Sequence, residues 1–368
     1  MSDWFRVAHA GEVASPALLI YPERIRENLR RMIQIAGGPA RLRPHIKTHK
    51  LAEVVRLHLE AGITKFKCAT IAEAEMAAGA GALDVLIAYP VVGPNVHRLL
   101  ELVLKFPATR FSCLADDATA LLALSETFRS ARRKLEVLLD VDCGQQRTGV
   151  AAGAKAVELY RLIGSTPGLT LDGLHIYDGH IHEADLAKRT AMCETAFAPV
   201  AALHRELLAT GLPVPRLVAG GTPTFPIHAR NKAFECSPGT CVLWDFGYSA
   251  KFLDLDFLHA AVVLIRVVSK PGANRLCLDL GHKAIAAENP PPRVHFMNLP
   301  DAAAIAHSEE HLVIETRRAN EFSVGDCLYG VPRHICPTVA LYSETTVVRD
   351  GQAAERWRIT ARERRLTI

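Results

Sequence analysis

The sequence predicts a parallel (β/α)8 barrel followed by a mostly β domain, and three observations carry that reading. From about residue 16, short β-branched runs alternate with longer stretches whose apolar residues recur at three- and four-residue spacing. Eight such units occupy roughly the length of one closed barrel. Past about residue 250 the helical rhythm stops, and strand-like runs separated by turns take over. The expected division is a barrel over residues 16–248 and a β domain over 249–368, with residues 1–15 pairing with the latter.

After a lead-in "PALLIY", the eight candidate strands are "RLRPHI", "KFKCA", "DVLIAY", "RFSCLA", "KLEVLLDVD", "LDGLHIYD", "RLVAGG" and "FECSPG". Helical patterns such as "AEVVRLHLEAG", "TIAEAEMAAGAG" and "DDATALLALSETFRSA" lie between them. An open doubly wound sheet is the competing arrangement. The absence of a Gly-x-Gly-x-x-Gly turn after an early strand weighs against its dinucleotide-binding version. The second region carries "AAVVLIRVVS", "NRLCLDLG", "HLVIET", "DCLYGVP" and "ERWRITAR", with turns at "KPGAN" and "VRDGQ".

Composition narrows the class. Of 368 residues, 49% are hydrophobic and 22% charged, a balance that buries a sizeable core. The net charge of +4 arises from 43 basic and 39 acidic residues without a long block of one sign, so nucleic acid is a poor partner. No apolar run reaches membrane-spanning length, and "MSDWFRVAHAGEV" lacks signal-peptide pattern. Nine unpatterned cysteines read as reduced thiols in a cytoplasmic protein.

Chemistry in a barrel gathers at the carboxyl ends of its strands. Lys47, in "RPHIKTHK", follows the first strand. "DVDCGQQRTG" presents Asp142 and Arg147 after the fifth, and "YDGHIH" presents Tyr177, His180 and His182 after the sixth. "AGGTPT" and "SPGT" follow the seventh and eighth, where free backbone N–H groups hold phosphate in many barrels. A lysine and a phosphate cradle at one mouth point to pyridoxal 5′-phosphate (PLP), whose aldehyde needs a lysine amine. The bland alternatives are a solvated lysine, an Arg147–Asp142 ion pair and histidines that only support their loops.

"RPHIKTHK", "DCGQQRTG", "YDGHIH", "GGTPT", "SPGT" and the late "HICPT" together resemble the D-threonine aldolase and D-serine dehydratase family of fold-type III PLP enzymes, related to the alanine racemase barrel. The resemblance spans nearly the whole chain. It implies that Lys47, rather than Lys50, carries the cofactor, that Arg147 faces its phenolic oxygen, and that Tyr177 lies near it. Gly220, Gly221, Thr222, Gly239 and Thr240 match the phosphate-binding loops. It further implies a divalent metal, manganese or zinc, on His334 and Cys336, and a homodimer. Were "RHICPT" extended, with Pro337 ending the strand, these two side chains would point to one side.

Two reactions follow from the resemblance: aldol cleavage of a D-β-hydroxy amino acid such as D-threonine, or dehydration of D-serine or D-3-hydroxyaspartate. His180 and His182 favour the aldolase, because a histidine beside the β-hydroxyl is a suitable base near neutral pH. Alternation along an extended segment would set both on one side. A non-catalytic PLP-binding barrel is the reading from another class, and the hundred-odd residues behind the barrel argue against it.

Overall fold

The computed structural model describes residues 3–368. The chain divides into two compact units: the N-terminal residues through Leu29 with 48–51 and 240–362, and residues 30–47, 52–239 and 363–368. In chain order, strand β1 (Ala17–Ile20) and helix α1 (Pro22–Ala36) come first. The barrel unit carries β2 (Lys65–Cys68), β3 (Asp84–Pro90), β4 (Arg110–Ala115), β5 (Leu135–Asp142), a short β6 (Val150–Ala151), β7 (Leu169–Ile176), β8 (Leu217–Ala219) and β9 (Phe234–Cys236). Helices α2 (Ala52–Glu60), α3 (Ile71–Gly79), α4 (Asn95–Lys105), α5 (Ala118–Ser130), α6 (Ala154–Ser165), α7 (Leu186–Ala209) and α8 (Phe225–His228) alternate with them.

Strands β2, β3, β4, β5, β7, β8 and β9 pair in parallel in that order. The eighth place is filled without a regular strand. Pro44 has no N–H to give a ladder, so "RLRPHI" pairs only through bridges from Leu42 to Cys236 and from His45 to Lys67. Arg43 N–H donates to the Cys236 carbonyl, His45 N–H to that of Pro238, and Lys67 N–H to that of Pro44, each at 2.9 Å. These contacts close the barrel. The chain then enters a 3-10 turn, Ile46–Thr48, so Lys47 leaves the wall on a turn and not on a strand end.

Side chains two residues apart share a strand face, and their contacts sort the interior into levels. The lowest holds one charged residue from each segment: Arg43, Lys65, Asp84, Arg110, Glu136, Asp172, Arg216 and Glu235. Arg43, fully buried, reaches Asp84 at 2.6 Å and Glu235 at 2.7 Å. Lys65 joins Glu235 at 2.5 Å, Arg216 joins Asp84 at 2.9 Å and pairs with Asp172, and Arg110 pairs with Asp172 and Glu136. Burial opposes ionisation of Asp84, yet the guanidiniums around it hold its carboxyl below the usual range. Above lies an apolar level of Leu86, Leu114, Leu138 and Val218.

Asp172 and His175 have opposite parity on β7, yet Asp172 joins the ion pairs and His175 turns inward to its register partner Asp140 on β5. A register shift against β5 at Gly173 (φ +121°) reconciles them, because the extra residue of a bulge reverses the alternation. A Cβ at Gly173 would run into the Arg216 carbonyl oxygen.

The second unit holds α9 (Phe246–Lys251), β10 (Ala261–Gly272), β11 (Arg275–Leu278), β12 (Val294–Phe296), β13 (Ala303–His307), β14 (Leu312–Glu315), β15 (Cys327–Pro332), α10 (Ile335–Ala340), β16 (Glu344–Arg349) and β17 (Gln352–Arg358). Its sheet runs β13-β14-β11-β10-β1-β16-β17, with β15 on β10 and β12 on β15. Strand β1 therefore lies in this sheet, whereas the sequence reading grouped residues from 16 onward with the barrel. Leu18, Leu19 and Ile20 are all buried, and a run buried on both faces carries no periodicity to say which sheet it joins. Phe5, Val7 and Val13 pack with Leu19, Val262, Leu264 and Tyr329. Among the described residues, no helix is long and apolar enough to cross a membrane, and all nine cysteines are free.

Removing one partner of a buried ion pair strands the others. Arg43→Ala leaves Asp84 and Glu235 without their buried cation. Urea unfolding should show a loss of about 3–5 kcal/mol; a loss below about 1 kcal/mol, the exposed-pair range, would mean the ring is not needed for closure.

Candidate active site

The mouth of the barrel gathers most of the expected residues. Lys47 is half-buried, its backbone N–H 3.4 Å from His45 Nδ1. Among the described residues its ammonium has no hydrogen bond or ion pair. Lys50, at φ +54°, instead donates to the Ala361 carbonyl at 3.5 Å. His49 Nδ1 accepts the Leu51 N–H at 3.1 Å, so His45 and His49 both brace the turn.

Arg147 lies with its guanidinium carbon 5.1 Å from the Tyr177 ring centre. The alternative ion pair with Asp142 does not form: Asp142 accepts the Gly144 and Gln146 N–H groups at 2.9 and 3.1 Å, and Arg147 has no ion pair among the described residues. Tyr177 is held flat by two glycines. A Cβ at Gly179 would collide with the ring, and one at Gly221 would stand 3.0 Å from Cε2.

The two phosphate-type loops are tied together. Gly239 N–H donates to Thr222 Oγ1 at 3.1 Å, and Gly221 N–H to Thr224 Oγ1 at 3.3 Å. Ser237, the start of "SPGT", keeps a buried hydroxyl with no hydrogen-bond partner among the described residues. A buried hydroxyl in that state fits an anion acceptor that binds there. An unpartnered lysine, an arginine over an aromatic ring, two linked glycine loops and an orphaned hydroxyl make the donor set that PLP requires.

Beneath the loops sits a network that sequence reasoning missed. Asp178 accepts Thr224 Oγ1 at 2.9 Å, and its other oxygen lies 2.6 Å from His228 Nε2 and 4.0 Å from Cys193 Sγ. Asp178, Cys193 and His228 are buried, with ligand-type atoms all within 4.8 Å of one another. Asp178 already has both oxygens engaged, and Gly220 (φ +72°) has no room for a Cβ beside His228. We read the cluster as the brace that fixes the Gly220–Thr224 turn. Only its partners, 46 and 50 residues away in sequence, reveal it.

His180 and His182 part company. Residues 178–183 form a turn and loop, not a strand, since β7 ends at Ile176. His180 is half-buried, its Nδ1 enclosed without a hydrogen-bond partner among the described residues. A Cβ on Gly144 would stand 3.1 Å from its Nε2. His182 is exposed. The expectation of two histidines on one side is thereby corrected.

In the second unit, His334 and Cys336 do meet, but not on an extended segment. Strand β15 ends at Pro332, His334 caps α10, and Cys336 lies in its first turn. Pro337 is accommodated there because first-turn N–H groups have no intrahelical acceptor. Burial disfavours the charged imidazole, but hydrogen bonds to Cys336 and Glu288 prevail and raise His334 to about 9. Burial likewise opposes the thiolate, and the His334 hydrogen bond outweighs it, lowering Cys336. His334 Nδ1 lies 2.5 Å from Glu288 Oε1, leaving Nε2 for the cysteine. Thr48 Oγ1 stands 3.2 Å and Thr240 Oγ1 3.7 Å from Cys336 Sγ. A thiolate beside an imidazole whose far nitrogen is held by a carboxylate is a donor set suited to a divalent metal.

The family description "Alanine racemase, N-terminal domain" matches residues 20–245, and a serine dehydratase domain matches residues 260–348. The D-threonine aldolase of Arthrobacter sp. is 32% identical over 95% of this chain and 93% of its own. The D-threo-3-hydroxyaspartate dehydratase of Delftia sp. (strain HT23) is 26% identical over 93% and 96%. The crystal structure of D-threonine aldolase from Filomicrobium marinum superposes with a TM-score of 0.90, at 28% identity over 96% of each chain.

If the Asp178 network braces the phosphate turn, Asp178→Ala should raise the PLP dissociation constant about tenfold, or about 1.4 kcal/mol, in an absorbance titration. Asp178→Asn, which keeps one acceptor, should fall between it and wild type. Unchanged affinity in both variants would remove the brace from the binding site.

Proposed function

The chain belongs to the alanine racemase N-terminal domain family, and on that footing we propose that it is a PLP- and divalent-metal-dependent D-threonine aldolase, cleaving D-β-hydroxy amino acids to glycine and an aldehyde. The cofactor, once bound, supplies an electron sink for the pair released when the Cα–Cβ bond breaks. Lys47 would hold its aldehyde carbon, and the Gly220–Thr222 and Ser237–Thr240 loops its phosphate. Arg147, which has no ion pair among the described residues, would donate to its phenolic oxygen, with its guanidinium carbon 5.1 Å from the Tyr177 ring centre.

The observation that carries the aldolase reading is His180. His180, in the loop after β7 and with Nδ1 enclosed and unpartnered among the described residues, is the imidazole to which this reading gives the β-hydroxyl proton. His182, exposed, has no such role. His334 and Cys336 would hold the metal, with Glu288 orienting the imidazole. Two protein ligands leave open positions, the mark of a Lewis acid and not of a structural ion. The 3.2 Å contact of Cys336 with the Thr48 hydroxyl supports the thiolate.

Incubated with D-threonine, PLP and manganese, the protein should yield acetaldehyde and glycine in equal amounts. Release of 2-oxobutyrate and ammonia would instead make it a dehydratase. Lys47→Ala should lose the cofactor's visible band and all turnover, while Lys50→Ala keeps the band; reversal of those results would move the cofactor to Lys50. Arg147→Ala should shift the band and sharply cut turnover.

Metal removal gives an independent check. Chelation should abolish turnover but keep the band, and manganese or zinc should restore it. His334→Ala and Cys336→Ala should behave like metal-free protein, and Glu288→Gln should weaken metal binding by about 10- to 100-fold. Full activity in protein shown metal-free by elemental analysis would sink the metal role.

A further inference from the structure

The stretch "WDFGY", residues 244–248, has no part in the function proposed above. Asp245, 1% exposed, is the N-cap of α9. Its Oδ1 accepts the Tyr248 N–H at 2.9 Å, the usual bond of a capping carboxylate. Its other oxygen goes beyond that role: Oδ2 accepts the Ile335 N–H at 3.1 Å. Ile335 is the residue between His334 and Cys336. On the other side of His334, the Gly247 N–H donates to the Arg333 carbonyl at 2.9 Å. A Cβ at Gly247 would collide with that carbonyl oxygen, so the approach needs glycine. The start of α9 thus grips the chain both before and after His334.

The need for a second acceptor lies in His334 itself. It occupies the N-cap of α10 but makes no side-chain cap bond among the described residues. An ordinary cap turns its side chain to the first N–H groups of its own helix. The His334 imidazole is engaged elsewhere, with Glu288 at 2.5 Å. Ile335 is fully buried, and a buried N–H left without an acceptor is costly. Asp245 supplies that acceptor from another helix, and the imidazole is released from capping. Thr338 Oγ1 adds a tie, donating to the His334 carbonyl at 2.8 Å and accepting the Ala286 N–H at 3.2 Å. The backbone bends sharply to seat the aspartate. Trp244, directly before it, is buried at φ +52°, a rare conformation for a bulky residue. Its ring packs on Phe257 and Tyr248, with centres 5.3 and 5.6 Å away.

We infer that Asp245 is a positioning residue for the His334–Cys336 pair: a carboxylate shared by two helix starts, which fixes the peptide between the two side chains and so their separation. It touches no metal itself, because each of its oxygens already holds an N–H. The inference rests on His334 and Cys336 being the metal site proposed above.

The experiment reads the metal, not turnover. Cobalt(II) takes nitrogen and thiolate donors, and a bound thiolate gives it a charge-transfer absorption. PLP-loaded protein, stripped of metal by chelator, is titrated with cobalt(II), and the dissociation constant and the difference spectrum at saturation are measured. The wild type should show the thiolate absorption, and Cys336→Ala should lack it. Asp245→Ser keeps a good cap for α9 but has a single oxygen and cannot also hold the Ile335 N–H. It should raise the cobalt dissociation constant about 10- to 100-fold and shift the absorption of the saturated site, with the PLP band unchanged. General destabilisation would leave the saturated absorption where it is. Gly247→Ala, which keeps Asp245 but pushes on the Arg333 carbonyl, should weaken cobalt binding too and stands in if the serine variant does not fold. A wild type without the thiolate absorption, or a Cys336→Ala variant that retains it, overturns the metal-site reading and this inference with it. With that absorption lost in Cys336→Ala, wild-type cobalt affinity and absorption in folded Asp245→Ser, or in folded Gly247→Ala in its place, overturn this inference alone.

Discussion

Closure of the barrel turns on Arg43. Its side chain is fully buried and joins Asp84 on β3 and Glu235 on β9, residues separated from it by 41 and 192 positions. A buried guanidinium is costly to desolvate, and an apolar side chain of similar volume would give comparable stability. What the ion pairs supply is register. Slipping the 42–45 segment by one residue would turn Arg43 out of the interior and put Leu42 or Pro44 among the carboxylates. With Arg43 fixed at the bottom, His45 follows two residues on, and Lys47 then leaves the wall on the 3-10 turn that starts at Ile46. The position of Lys47 is thus set from the opposite end of the barrel.

The same step rule organises the neighbouring strands. On β5, Glu136 joins the charged ring, Leu138 the apolar level, Asp140 the His175 pair, and Asp142 the turn that presents Arg147. On β2, Lys65 binds Glu235 and Lys67 meets His175 two residues higher. The Gly173 bulge lets β7 contribute at both levels. Glycine then sets the mouth itself: Gly179 and Gly221 admit the Tyr177 ring, and Gly220 admits His228. The site is therefore the upper end of a vertically ordered interior and not a set of loops laid on a scaffold.

This order explains what the sequence disclosed. Strand existence was legible because seven buried runs are short, β-branched and separated by amphipathic helices. Lys47, Arg147, Tyr177 and the glycine turns stood out because each follows such a run. The closing segment read as a strand because nothing in "RLRPHI" except Pro44 interrupts one. The charged ring stayed hidden, since its members lie tens of residues apart and each alone resembles a solvated end. Lys67 was masked likewise, inside "KFKCA", where a lysine between apolar residues reads as the outward face of a strand. His334 and Cys336 were found with the wrong backbone, because spacing of two satisfies a strand while a proline at the third position equally suits a helix start.

The proposed aldolase and the competing dehydratase differ in which proton leaves first. Dehydration removes the Cα proton, a task that reading would give to the Lys47 amine, and needs an acid for the departing hydroxyl. Aldol cleavage leaves Cα–H alone and takes the hydroxyl proton. Both reactions require that amine to be unprotonated when the cofactor is engaged. The lysine side of the mouth therefore does not separate them. The discriminating group is the one that meets the β-hydroxyl, and the aldolase proposal assigns that place to His180, which lies against Gly144 with Nδ1 unpartnered among the described residues. Under the proposal, the choice between carbon–carbon and carbon–oxygen cleavage rests on one half-buried side chain in the loop after β7.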